Sequence, residues 1–131
     1  MTQPSTTADA ATDNDRITSC ARDYFEGWFT GDTARMERAL HPQLVKRSPH
    51  PDPSLEHVTT KARMMQLTGD GAGVGETDDQ TIDVEIADVY GDIATAVVRS
   101  SVYREYLHLV RTADGWRIVN ALWAPGPRAA P

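Results

Sequence analysis

The chain has a single cysteine, Cys20, which excludes an internal disulfide and leaves stability to packing. No apolar run approaches the ~20 residues that a membrane-spanning helix needs. No basic run or stripe is present. Thirteen lysines and arginines are scattered among 19 aspartates and glutamates, for a net charge of −6, which argues against nucleic acid as a partner. His50, His57, His108 and Cys20 fall in no metal-ligand spacing, so no metal site is expected. The polar N-terminus MTQPSTTADAATDNDR lacks the charged-then-apolar pattern of a secretory leader. These absences give the expectation of a cytoplasmic protein with neither membrane nor nucleic acid among its partners.

What is present suits one domain. The chain has 131 residues, of which 40% are hydrophobic and 24% charged. A chain of this length buries roughly two thirds of its unfolded surface. Residues 1–13 read as a disordered arm, 14–124 as the domain and 125–131 as a loose tail.

Ile17, Cys20, Ala21, Tyr24 and Trp28 recur at spacings of three and four, which predicts a first helix from about Asp15 to Thr30. Thr12 and Asp15 have capping-box spacing at its start, and Gly31 is the expected stop. Asp32 then caps a short second helix holding Met36, Ala39 and Leu40, ended by Pro42. LVKRS at 44–48 reads as a short strand, and the proline-rich SPHPDPSLEH as a loop. A third helix begins at Thr59 or Thr60 and carries Ala62, Met64, Met65 and Leu67. The segment GDGAGVGETDD has no strand before it and no helix opening after it, so it reads as a flexible loop rather than a phosphate cradle.

From Ile82 the period changes to two. Ile82, Val84 and Ile86 alternate with polar residues, and Gly91-Asp92 makes a turn. Residues 93–112 are too long for one straight strand, so a break near Arg99 to Val102 is expected. Ala113-Asp114-Gly115 is a hairpin turn, and WRIVNALW is the last strand. Helices followed by hairpin-linked strands give an α+β domain: three N-terminal helices packed on a strongly curved antiparallel sheet.

The helix ending YF-x-G-x-x-x-GD, then M-x-x-x-x-HP, then the hairpin YL-x-L-x-x-x-x-DG-WRIVN resemble the nuclear transport factor two-like superfamily. Within it the chain is similar to the group described as lumazine-binding or SnoaL-like, over about residues 15–124. The resemblance implies a cone with an internal cavity. The superfamily it resembles includes polyketide cyclases, ketosteroid isomerases, dehydratases, epoxide hydrolases and many proteins with no known activity, so the fold alone selects no reaction.

Tyr24 lies seven residues before Gly31-Asp32, the spacing of the oxyanion-binding tyrosine in ketosteroid isomerases. Two roles are open to it: a hydrogen-bond donor at the edge of a cavity of a few hundred cubic ångströms, or a core tyrosine bonded to a neighbour. The isomerase acid positions fall at Ser48 and near Leu107, which cannot do that chemistry, so steroid-type isomerisation is disfavoured. His41 is either a general base or a ring that caps the second helix through a backbone carbonyl. Glu105 is either a carboxylate beside the cavity or a partner of Arg99 or Arg117. By the same resemblance Tyr103, Glu105, Leu107 and Leu109 face inward. Tyr106 and His108 then face outward, as the expected homodimer interface. Met64 fills core or flanks the pocket, and one of Asn120 and Trp123 faces the cavity. The candidate catalytic residues are thus Tyr24, His41 and Glu105. The candidate ligand contacts are Tyr24, Trp28, Met64, Tyr103, Leu107, Asn120 and Trp123. The expected function is binding of a small apolar or polyketide-like molecule, with cofactor-independent cyclisation, isomerisation or dehydration. The alternative is a non-catalytic ligand-binding or dimerisation module.

Overall fold

The structure, a computed structural model, describes residues 6–52 and 57–127. Its elements are α1 (Thr6–Thr30), α2 (Thr33–Ala39), β1 (Leu40–Ser48), β2 (His57–Thr59), α3 (Lys61–Gly69), β3 (Ile82–Tyr90), β4 (Ile93–Ser100), β5 (Tyr103–Thr112) and β6 (Gly115–Pro125). The fold is α+β, with three helices on a six-stranded sheet of order β2-β1-β6-β5-β4-β3. Among the described residues no helix is long and apolar enough to cross a membrane.

α1 starts at Thr6, earlier than the expected Asp15, so Thr12 and Asp15 are not its cap. Residues 6–13 therefore belong to a helix rather than a disordered arm. Asp13 takes two bonds from the Arg111 guanidinium, at 2.7 and 3.1 Å, tying this part of the helix to β5. The helix ends as expected at Gly31, whose φ of 72° a side chain would oppose. The Asp32 side chain accepts from the Arg35 N–H and caps α2, and Thr60 caps α3 through the Arg63 N–H.

Two expectations about the sheet need correction. It is mixed rather than wholly antiparallel, because β1 runs parallel to β6. A tight turn can only reverse the chain, but β1 and β6 are separated by most of the domain, so no hairpin dictates their direction. β1 also begins at Leu40, taking in His41 and Pro42, and with β2 it precedes α3. Proline is accommodated because the β1–β6 register shifts between Leu40 and Val45. Part of the expected 48–57 loop lies outside the described residues, and His57 to Thr59 form β2. The expected tail begins inside β6, and Gly126 still donates to the Val102 carbonyl at 2.8 Å. Residues 128–131 lie outside the described residues.

β3, β4, β5 and β6 form the expected meander, with the break at Ser101-Val102. α1 lies against both β6 and the far edge strand β3, so the sheet curves around it. Register shifts in β3–β4 and β5–β6 assist that bend. The core lies between, built from Ile17, Phe25 and Phe29 of α1, Met36, Leu40 and Met64, and Val98, Leu107, Leu109 and Ile118 of the sheet. Cys20 is buried there, its Sγ 3.4 Å from the Ala39 carbonyl, and burial pushes its pKa up to about 12. Such a thiol is a structural side chain, not a nucleophile.

Candidate functional site

The alternation of β5 sets the chemistry of the interior. Glu105, Leu107 and Leu109 point inward and are buried, while Arg104, Tyr106 and His108 are exposed. Glu105 is only 2% exposed, a carboxylate deep in an apolar setting. The Tyr24 hydroxyl donates to its Oε1 at 2.7 Å. Lys46 Nζ donates to the Tyr24 oxygen at 2.5 Å and stands 3.5 Å from Glu105 Oε2. One cation, one phenol and one carboxylate from β1, α1 and β5 thus close on each other. The charged pair compensates, which a lone buried carboxylate could not do. Arg99 pairs with Asp83 and Glu85 and Arg117 donates to the Trp116 carbonyl, while Glu105 is held by Tyr24 and Lys46 instead of either arginine.

Aromatic rings roof this cluster. The Lys46 ammonium lies 5.0 Å from the Tyr24 ring centroid, 5.5 Å from Trp123 and 6.0 Å from Trp28. Tyr103 meets Trp123 edge to face at 5.6 Å. Trp28 Nε1 shares its hydrogen between Glu76 Oε1 at 3.1 Å and the Tyr103 oxygen at 3.2 Å. The Tyr103 hydroxyl donates to Glu76 Oε2 at 2.5 Å.

The space enclosed by Tyr24, Phe25, Trp28, Lys46, Tyr103 and Glu105 is about 10 Å³. That holds about one water, not the expected cavity of a few hundred cubic ångströms. The Lys46 side chain stands beside the Tyr24 hydroxyl and ring instead. Burial, and then the adjacent Glu105 charge, hold the Tyr24 phenol well above its ordinary pKa. It therefore stays protonated and acts as a donor. Tyr103 is raised also, by burial and by its bond to Glu76.

The other candidates divide. Trp28, Tyr103 and Trp123 stand at the mouth, and Trp123 is the inward member of its pair with Asn120. Asn120 faces outward, where its Nδ2 lies 3.3 Å from His108 Nδ1. Met64 and Leu107 are sealed in core and border no opening. His41 is neither in the cluster nor a helix cap: its Nδ1 accepts from the Gln43 N–H at 3.0 Å within β1. Lys46 and Glu76 were missed. The signal for Lys46 lies in LVKRS, where alternation puts it on one face with Leu44 and Ser48, both buried. Glu76 sits in the glycine-rich segment after α3, for which the sequence offers no regular pattern.

The model of a protein family described as "Putative lumazine-binding" matches residues 12–124. This chain belongs to that family. Its solved structural neighbours within the same fold include a nuclear transport factor 2-like protein of unknown function from Silicibacter pomeroyi DSS-3. That protein is 20% identical, covers 92% of this chain and 99% of its own, and has a TM-score of 0.70. A second such protein, from Shewanella baltica OS155, is 14% identical over 95% of this chain and 99% of its own, at a TM-score of 0.68. A ketosteroid isomerase-like protein from Erwinia carotovora atroseptica SCRI1043 is 17% identical over 85% and 94%, at 0.61. No curated protein sequence matches the chain. The chain thus has the nuclear transport factor two-like fold, with a buried inward carboxylate at Glu105 and a serine and a leucine at positions 48 and 107.

Proposed function

We propose that the chain binds a small carbonyl-bearing molecule beneath Trp28, Tyr103 and Trp123 and moves a proton on it. The observation that carries this reading is the buried Tyr24–Glu105 hydrogen bond with Lys46 on its other side. Three polar groups converge at one point of a largely apolar interior, which a purely apolar binding pocket would not need. Glu105 is the base that takes a proton from carbon beside the carbonyl. The Tyr24 hydroxyl turns from Glu105 to the carbonyl oxygen and donates to it as negative charge grows. The Lys46 ammonium adds positive charge at the same oxygen. Returning the proton to another carbon completes an isomerisation, and returning it to a departing hydroxyl completes a dehydration. Such proton shifts transfer no net electrons and call for no cofactor. The ligand's entry requires the Lys46 side chain and the roof to shift, since the resting space holds about one water.

A thermal-shift and mass-spectrometric screen of small ketones tests this. Binding by the native protein, and its loss in the Lys46→Met, Glu105→Leu double variant, is the expected result. Equal binding by both proteins removes the cluster from the site.

A second reading, association through the outer sheet face, has its own support. Tyr106 and Leu122 are directly paired across β5 and β6 and are 49% and 48% exposed. A groove of about 440 Å³ continues this face, between Tyr90, Ile93, His108 and Asn120. We infer a homodimer that buries these side chains, compatible with either ligand binding alone or catalysis.

A further inference from the structure

Glu76 is exposed, yet its carboxylate makes two specific bonds at the mouth. Oε1 accepts from the Trp28 indole N–H at 3.1 Å, and Oε2 accepts from the Tyr103 hydroxyl at 2.5 Å. One donor meets each oxygen, from α1 and β5, so the carboxylate is held at both of its oxygens. The Lys46 ammonium over the Trp28 ring supplies positive field on the same side. The segment bearing Glu76 is joined by Gly71 and Gly75, both at φ of 77°, and Gly73 lies hard against Trp28. A Cβ on Gly73 would stand 2.4 Å from Trp28 Nε1, so only glycine lets the segment reach this position.

We propose that Glu76 is an internal stand-in for the carboxylate of a small organic acid, which takes the Trp28 and Tyr103 donors when the Glu76 segment swings away. This deepens, and rests on, the reading of the mouth as a ligand site. The exchange replaces one negative charge by another, so the net charge at the mouth is unchanged. It also accounts for a closed resting state: the same residue that occupies the donors keeps the roof in place. The ligand class is then a monocarboxylate with a carbonyl or ring that passes toward Tyr24 and Glu105.

Isothermal titration of benzoate and of the neutral ketone acetophenone into the native protein and Glu76→Ala tests this. Because Glu76 is exposed, the variant keeps the fold. Loss of the internal competitor should tighten benzoate binding by about tenfold or more, the size of one hydrogen bond to a charged group. Acetophenone should gain much less, and Tyr103→Phe added to Glu76→Ala should remove most of the benzoate gain. A ketone that binds while benzoate gains nothing, or gains only as much as the ketone, overturns the carboxylate proposal and leaves the mouth reading standing. Binding of neither probe by any variant overturns both.

Discussion

Tyr24 on α1 and Glu105 on β5, 81 positions apart in the chain, share a 2.7 Å hydrogen bond inside the core. The bond joins the helix layer to the inner face of the sheet. It also leaves the phenol oxygen free to accept from Lys46, so each member of the cluster is partnered by the other two.

Replacing Tyr24 by Phe therefore costs stability as well as function. Both Glu105 and Lys46 lose a buried partner, and the expected loss is about 1–3 kcal/mol in urea unfolding. An unchanged unfolding midpoint would mean that the hydroxyl contributes nothing to the fold.

Lys46 and Glu105 should behave as a coupled pair. Lys46→Met strands a buried carboxylate, and breaking such a pair by removing one partner costs about 3–5 kcal/mol. Adding Glu105→Leu should restore most of that loss, because two apolar side chains need no compensation. Additive losses in the double variant would show that the charges do not sense each other.

The raised pKa values of Tyr24 and Tyr103 set an alkaline limit. Both groups are held neutral by burial, so the folded state binds their protons more tightly than the unfolded chain does. That stability is fully present below pH of about 10, the ordinary tyrosine value, and is lost as pH rises toward the folded-state values. Tyrosinate absorbance from these two rings should appear together with unfolding. A phenolate signal from either ring in a still-folded protein would contradict the burial described above.

Outer-face association predicts that Tyr106→Asp yields monomers in light scattering at micromolar concentration, since a charge forced into an apolar interface is strongly unfavourable. A native protein that is already monomeric there would remove the dimer.

Much of the fold was legible because its signals are local. The period-two pattern of β3 to β6, the turns at Gly91 and Gly115, and the caps at Asp32 and Thr60 each follow from a few adjacent residues. The parallel β1–β6 pairing was not legible, because two strands joined by no hairpin leave no mark of direction. The early start of α1 was hidden by a plausible cap at Thr12. Of the sequence candidates, Tyr24, Glu105, Trp28, Tyr103 and Trp123 are the ones the fold brings together, the first two singled out through resemblance and alternation. Lys46 was overlooked because a lysine in a short strand reads as solvent-facing until its neighbours Leu44 and Ser48 prove buried. The cavity was expected because the resemblance implies one, and the Lys46 side chain stands beside Tyr24 where it was placed.

The tryptophan indole signals in a nitrogen-15 NMR titration test the central claim most directly. Trp28 and Trp123 frame the mouth, while Trp116 lies elsewhere, beneath the Arg111 guanidinium at 4.9 Å. A ligand taken up over Tyr24 and Glu105 should move the Trp28 and Trp123 signals and leave Trp116 in place. Saturating binding that leaves Trp28 and Trp123 unmoved would put the ligand somewhere else and contradict the site.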